Sequence, residues 1–224
     1  MKARQAGHSR GRASPDHPPK KRTYGDRCGI ARALDVVGDR WALLVIRELL
    51  LGPKRFTDLR IGLPHVTPDV LSQRLRELEA DGVVRRAMLP PPAGAKVYEL
   101  TDRGRALEPV ILELGRWGSV APFPAIEEAG IGVDALVVAL KTLYRPGGAD
   151  AHMELRLDGQ RFDARIAGGT FEVARGAADT RDATIAADAG LLASVLWHDG
   201  DAAALVIEGD KRAAKRFLRA FPLP

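Results

Sequence analysis

One cysteine, Cys28, stands in a chain of 224 residues, so no intramolecular disulfide can form and an oxidising compartment is not expected. No run of about 18 apolar residues occurs, which argues against a membrane-spanning helix. The N-terminal stretch has no apolar core of the kind an ordinary secretory signal needs, and a cytoplasmic, nucleoid-associated location is expected. Chemistry-bearing motifs are scarce too. His8, His17, His65, His152 and His198 are scattered, with no neighbouring Cys or Asp at zinc-ligand spacing. There is no P-loop and no G-x-S-x-G elbow. The expectation is therefore no catalytic residue, no metal and no cofactor.

What is present is a globular composition, 46% hydrophobic, with a net charge of +5 spread unevenly. Residues 1–27 hold 8 Lys/Arg against 2 Asp/Glu, residues 28–120 hold 14 against 12, and residues 121–224 hold 12 against 15. A basic first half and an acidic second half suggest that a polyanion meets the first and something else engages the second. Residues 1–22, rich in Gly, Pro, Ser and basic side chains, cannot bury enough surface to offset ordering entropy and read as a disordered basic tail. Such a tail serves equally as an arm along phosphates or as a solvated leader.

Helical periodicity begins near Cys28 with Ile30, Leu34 and Val37, and Gly38 ends it. Asp39 is expected to cap a second helix through Trp41, Leu44, Val45, Glu48 and Leu49, stopped by Gly52-Pro53. A short helix follows around Phe56–Ile61. Thr67, with Pro68 behind it, then opens a helix whose Leu71, Leu75 and Leu78 face the core, and Gly82 closes it. Val83–Leu89 and Lys96–Leu100 read as two strands around a proline-rich loop. Thr101 is expected to cap a helix bearing Leu107, Val110, Ile111, Leu114 and Trp117, bent or delayed by Pro109.

This order, a capped helix running into a basic hairpin, is the outline of a winged helix-turn-helix that reads double-stranded DNA. Away from the leucines lie Asp69, Ser72, Gln73 and Arg76, with Arg74 to one side. Gln can pair bidentately with adenine, Arg with guanine or phosphate, and Ser with either. Thr67 and the free N–H groups of the first turn suit a phosphate. Arg85, Arg86 and Lys96 place charge on the wing, and Lys54 and Arg55 are further candidates for phosphate contact. One short helix contacts too few base pairs to pick out a site in a genome, so a two-fold dimer on an inverted repeat is expected. The Leu107, Ile111, Leu114 stripe with Trp117 is a candidate for its interface, or ordinary core.

Residues 28–118 resemble the HxlR family of bacterial winged-helix regulators through LDVVGDRWALLVIRELLLGPKRFTDL, LSQRLRELEADGVV and VYELTDRGRALEPVILELGRWG. The resemblance implies a homodimeric transcriptional regulator whose recognition helix is residues 67–81 and whose wing is residues 83–100. It also implies dimer contacts through residues 28–37 and 101–117. Where family members often carry Pro-Gly-Ile-Ser before the recognition helix, this chain has Pro64-His65-Val66-Thr67, keeping the hydroxyl cap without the glycine. Cys28 falls at a helix N-terminus beside Arg27, a setting that favours thiolate chemistry, and the resemblance allows a redox switch there. A small residue at the dimer interface is the other reading.

After a linker over residues 121–132, the order helix (133–144), hairpin (152–166 around Asp158-Gly159), strand (170–175), short strand (184–186), helix (188–197), strand (205–207) and helix (211–221) suggests an α+β domain with a mainly antiparallel sheet. Residues 133–224 resemble the SCP2 sterol-carrier-like fold through AHMELRLDGQRFDARIAGG, DATIAADAGLLASVLW and ALVIEGDKRAAKRFLRAF. That resemblance implies a sheet covered by helices around an apolar tunnel for a fatty-acyl or sterol-like ligand. Leu136, Leu140, Phe162, Phe171, Leu192, Leu196, Trp197, Phe217 and Phe221 are candidate lining, or plain core. The expected division is thus tail 1–22, winged helix 23–120, linker 121–132 and SCP2-like domain 133–224. A competing expectation is a lipid or acyl carrier whose winged helix serves only protein contacts.

Overall fold

The computed structural model describes residues 23–120 and 130–224. The expected tail 1–22 and most of the expected linker lie outside the described residues. The first half is built from α1 (Gly29–Val37), α2 (Ala42–Leu49), α3 (Phe56–Gly62), α4 (Pro68–Ala80), the antiparallel pair β1 (Val84–Met88) and β2 (Lys96–Leu100), α5 (Asp102–Arg105) and α6 (Glu108–Ser119). Its core gathers Val45, Ile46 and Leu49 of α2, Leu59 of α3, Leu71, Leu75 and Leu78 of α4, and Val84 and Leu100 of the hairpin.

One capping expectation needs correction, while Thr101 caps as expected and the main helix behind it starts late, at Glu108-Pro109. Asp39 does not cap α2. Trp41 holds that position, and the Asp39 carboxylate instead meets Arg74 Nη2 at 2.7 Å. The helix expected after Thr101 is split. The Thr101 hydroxyl donates to Gly82 O at 2.6 Å and accepts from Gly104 N at 3.2 Å, capping only the four-residue α5. α6 then starts afresh with Pro109 in its first turn, where a missing N–H costs nothing.

The second half runs α7 (Val133–Leu143), β3 (Ala151–Leu157), β4 (Gln160–Ala167), β5 (Thr170–Arg175), β6 (Ala183–Ala187), α8 (Ala189–Trp197), β7 (Val206–Gly209) and α9 (Lys211–Leu218). Asp158 and Gly159 turn the β3–β4 hairpin, both with positive φ. The last strand starts one residue later than the sequence suggests, because Ala202–Ala204 forms a 3-10 turn. The sheet order is β5-β4-β3-β6-β7, antiparallel except for β3 beside β6. The fold is therefore α+β with a mainly antiparallel sheet. Alternation puts Met153, Leu155, Phe162, Ala164 and Ile185 on the face covered by α7, α8 and α9.

The halves are joined by more than chain connectivity. α7 packs on α2, α3 and α6, and Val138 belongs to the first core while Leu136, Val137 and Leu140 belong to the second. Close approach of α6 requires Gly115, since a Cβ there would lie 2.9 Å from Thr142 Cγ2. Arg116 Nε donates to Thr142 O at 3.0 Å, and Lys141 pairs with Glu108. No helix of the described residues is long and apolar enough to cross a membrane.

Candidate nucleic-acid interface

The reading surface is assembled on α4. Thr67 Oγ1 accepts from Val70 N at 3.4 Å, and Pro68 occupies the first helical position. The leucine row is fully buried, which fixes the rotation of the helix and turns Asp69 and Arg76 into solvent, with Ser72 and Gln73 half-exposed beside them. Gln73 and Arg76 are pre-aligned along the helix. Gln73 Nε2 donates to Glu77 Oε1 at 2.6 Å, and Arg76 Nη2 donates to Gln73 Oε1 at 2.6 Å. Asp69, Ser72, Gln73 and Arg76 thus share one accessible flank, with Thr67 exposed at the helix start.

Arg74 is elsewhere. Its guanidinium is clamped between Asp39 and Glu77, and its side chain is 14% exposed. Arg74, expected on the DNA-facing side, here holds α4 to the turn before α2. Lys54 departs in the same way. Its ammonium lies 2.6 Å from Glu48 Oε2 and against Asp134, with 13% of the side chain exposed, so it is a buried tie and not a free phosphate ligand. Arg55, next in sequence, is exposed.

On the wing, strand register pairs Arg85 with Glu99 and Arg86 with Tyr98. Adjacent strand residues point to opposite faces of the ribbon. Arg85 Nε donates to Glu99 Oε1 at 2.7 Å on the outer face. Arg86 shares the inner face with Val84, sits 5.8 Å from the Tyr98 ring centroid and reaches Glu79 of α4 at 3.1 Å. Both guanidiniums remain largely exposed. Lys96, at the start of β2, is exposed and makes no ion pair with the described residues. Arg85, Arg86 and Lys96 therefore give the wing a cationic surface next to α4.

Cys28 is an exposed free thiol at the N-cap of α1, its own N–H donating to Asp26 Oδ1 at 2.9 Å. Nearby, α1 and α6 leave large apolar side chains in solvent: Ile30 (73% exposed) and Leu34 on α1, and Val110, Leu114 and Trp117 (78%) on α6. The expected interface stripe needs adjustment. Ile111 and Leu107 turn inward to the first core, so the outward face is Val110, Leu114 and Trp117.

The expected pocket residues fall in one packed core. Leu136, Leu140, Phe162, Leu192, Phe217 and Phe221 are fully buried, and Phe171, Leu196 and Trp197 are partly so. Phe171 and Phe217 each meet Phe221 edge-on with centroids 4.9 and 5.0 Å away, and Trp197 Nε1 donates to Phe221 O at 2.9 Å. Within this cluster the Tyr144 hydroxyl is buried and has no hydrogen-bond partner among the described residues.

The sequence reading missed a buried ionic cluster between the halves. Glu48 takes Arg47 Nη2 at 2.8 Å and Lys54 Nζ at 2.6 Å, while Asp134 takes Arg175 Nη2 at 2.5 Å and an ion-pair contact from Lys54. The available signal was a charged residue, Glu48, on the apolar stripe of α2. Among the described residues no group of three or more His, Cys, Asp or Glu could hold a metal ion.

The first half of the chain is similar to known proteins. The family described as HxlR-like helix-turn-helix matches residues 36–122. The HTH-type transcriptional regulator YvaP of Bacillus subtilis (strain 168) is 40% identical over 88 residues, covering 39% of this chain and 82% of that protein. YodB, another HTH-type transcriptional regulator of the same strain, is 38% identical over 85 residues, covering 38% and 76%. Among solved structures, the redox regulator HypR in its oxidized form is 36% identical, with 43% of this chain and 100% of that chain covered and a TM-score of 0.40.

Proposed function

The chain belongs to the HxlR-like helix-turn-helix family and is a transcriptional regulator of that family; on that premise we propose that it acts as a homodimer on an inverted-repeat operator in double-stranded DNA. The observation that carries this reading is the fixed rotation of α4. Its leucines are locked inward, leaving Ser72, Gln73 and Arg76 accessible next to Arg85, Arg86 and Lys96 of the wing. Thr67 and the first-turn N–H groups anchor a phosphate, Gln73 and Arg76 read base edges, and the wing and Arg55 hold the flanking backbone. Pairing occurs through α1 and α6, each of which leaves large apolar side chains exposed: Ile30 and Leu34 on α1, and Val110, Leu114 and Trp117 on α6. Cys28, exposed at the end of α1, makes operator binding sensitive to thiol-modifying agents. As a DNA-binding regulator, the protein works in the cytoplasm.

The test is fluorescence anisotropy with duplexes tiled across the intergenic DNA upstream of the gene. Specific binding is expected, weakened by Arg76→Ala at one base position and by Arg85→Ala on all sequences alike. Absence of binding at low salt, where phosphate contacts are strongest, overturns the proposal.

For the second half, the sheet covered on one face by α7, α8 and α9 fits an SCP2-like domain spanning 133–224, with the winged helix over 23–120. The Tyr144 hydroxyl, beside Phe171 and Phe221 and without a hydrogen-bond partner among the described residues, favours a small apolar ligand carrying one polar group. Native mass spectrometry and a thermal-shift panel of fatty acids and sterols test this. A ligand-free mass with no shift across the panel makes the domain a scaffold.

A further inference from the structure

The second half is acidic in total, and four of the six arginines that precede its last helix meet carboxylates. Arg156, Arg161 and Arg181 surround Glu154, and Arg175 meets Asp134. α9 breaks this pattern. Lys211, Arg212, Lys215, Arg216 and Arg219 are all exposed, and none forms an ion pair with the described residues. Its opposite side, Ala213, Ala214 and Phe217, is buried against the sheet. The five cations are spaced i, i+1, i+4, i+5, i+8, one stripe about 12 Å long.

Helix energetics account for only part of this arrangement: Lys215, Arg216 and Arg219 lie at the C-terminal end, where the dipole favours cations, but the first turn and the spacing are unfavourable. Lys211 and Arg212 occupy the first turn, where the helix dipole disfavours cations, and only the Asp210 cap offsets them. Lys211 with Lys215, Arg212 with Arg216 and Lys215 with Arg219 are like-charge pairs at i,i+4, which weaken a helix. A polyanion along the stripe relieves both penalties. A lipid surface fits less well, because the apolar side of α9 is already buried in its own domain and has nothing left to insert.

We propose that the outward face of α9 is a second phosphate-backbone contact, engaging duplex DNA that flanks the stretch read by α4. This rests on the operator reading above, and the experiment separates the two. The full-length protein and a variant with Lys211, Arg212, Lys215, Arg216 and Arg219 each changed to Gln are titrated against two duplexes. One is trimmed to the operator and the other is extended by one helical turn or more on each side. The wild type is expected to bind the extended duplex about tenfold more tightly at low salt, with a steeper salt dependence. The variant is expected to bind both duplexes equally, and the Arg212→Gln/Arg216→Gln double variant to fall between. Relief of like-charge crowding leaves the variant's Tm unchanged or raised, which distinguishes a lost contact from a lost fold. A wild type that binds the trimmed duplex but gains nothing from flanks overturns the α9 assignment alone. A wild type that binds neither duplex removes the operator reading and this one with it. Retention of wild type but not variant on phosphatidylserine vesicles, without a flank effect, assigns the stripe to an anionic lipid surface and overturns its assignment to DNA.

Discussion

Replacing Asp134 with Asn tests whether the two halves of the chain are one mechanical unit. Asp134 is 3% exposed in the first turn of α7, a position that already favours a negative charge. Its carboxylate faces Arg175 of β5 and Lys54 of the segment before α3, and Lys54 also carries the contact to Glu48 of α2. Two carboxylates thus hold the three cations Arg47, Lys54 and Arg175 at the junction, with one positive charge in excess. Removing one member of a buried ion pair costs about 3–5 kcal/mol, because the partner is left desolvated and unpaired. Arg175 keeps 36% of its side chain in water and relaxes outward, whereas Lys54 keeps only 13%. The expected loss is therefore about 2–3 kcal/mol, a large share of the roughly 5–15 kcal/mol that holds a typical domain together. Urea unfolding of the full-length protein measures it. Glu108→Gln, which removes the more exposed Lys141 pair, serves as the control and should cost about 0.5 kcal/mol. Because Lys54 and Tyr98 exchange backbone hydrogen bonds at 2.9 and 2.8 Å, and the Tyr98 ring supports Arg86, the loss should also reach the wing. Operator affinity is expected to fall several-fold in Asp134→Asn and not in Glu108→Gln. Lys54→Met combined with Asp134→Asn should cost less than the two changes summed. An unfolding midpoint for Asp134→Asn that matches Glu108→Gln would refute the reasoning, since the cluster would then be a solvated surface feature.

Arg74→Ala should lower stability by about 1–2 kcal/mol through the lost Asp39 and Glu77 contacts, whereas Arg76→Ala should leave the urea midpoint in place and reduce specific binding by about 1–3 kcal/mol; equal effects of both on binding alone would contradict the clamp at Arg74. Burial pushes the Glu154 carboxyl up, but hydrogen bonds from Arg161, Arg156 and the Ala178 N–H outweigh it and hold the group at about 2. Its contribution, about 2 kcal/mol after allowing for half-exposed guanidiniums, is complete above the ordinary value of 4.5 and fades as the pH falls from there towards 2; Glu154→Gln should flatten the acid limb of the stability profile in that window, and an unchanged limb would count against it. Trp117→Glu with Leu114→Glu should convert a dimer to a monomer in sedimentation velocity, and a persistent dimer would move the interface elsewhere. Cys28→Ser should abolish any diamide sensitivity of operator binding, while sensitivity that survives the change excludes the only thiol in the chain.

Elements with short-range signals were legible in the sequence. Thr67 with Pro68, Asp158 with Gly159 and Asp188 before α8 announce caps and turns through chemistry confined to a few residues, and each does that work in the structure. The rotation of α4 was legible because Leu71, Leu75 and Leu78 fix it by themselves. The carboxylate partners of Arg74 and Lys54 were not legible, because a basic side chain near a groove looks the same whether it meets phosphate or carboxylate. The deciding partners, Asp39 for one and Asp134 for the other, are 35 and 80 positions away in the numbering. Asp39 itself reads as a cap until Arg74 is brought beside it. Likewise Ile111 and Trp117 lie on one helix with the same apolar character, and only packing against the first core separates inward from outward.

The second half has been fitted to a module that relatives use without anything of its size: 88 matched residues fill 82% of YvaP, leaving no room there for a sheet and three helices. The fit is achieved by one helix. α7 places Val138 in the winged-helix core and Leu136, Val137 and Leu140 in the other, so neither core is complete without it. Hydrophobic burial alone would let such a junction slide, because apolar contact is not directional. Direction comes from the polar ends of the same helix. Asp134 near its start is held by Lys54 and Arg175, and Thr142 near its end meets Arg116 and the cleft left by Gly115. With both ends pinned and the middle shared, a shift of the sheet against the winged helix must break ion pairs or open a core. Anything that binds one arrangement of the sheet better than another is thereby linked to Lys54, to the strand it bridges, and to the position of Arg86 on the wing.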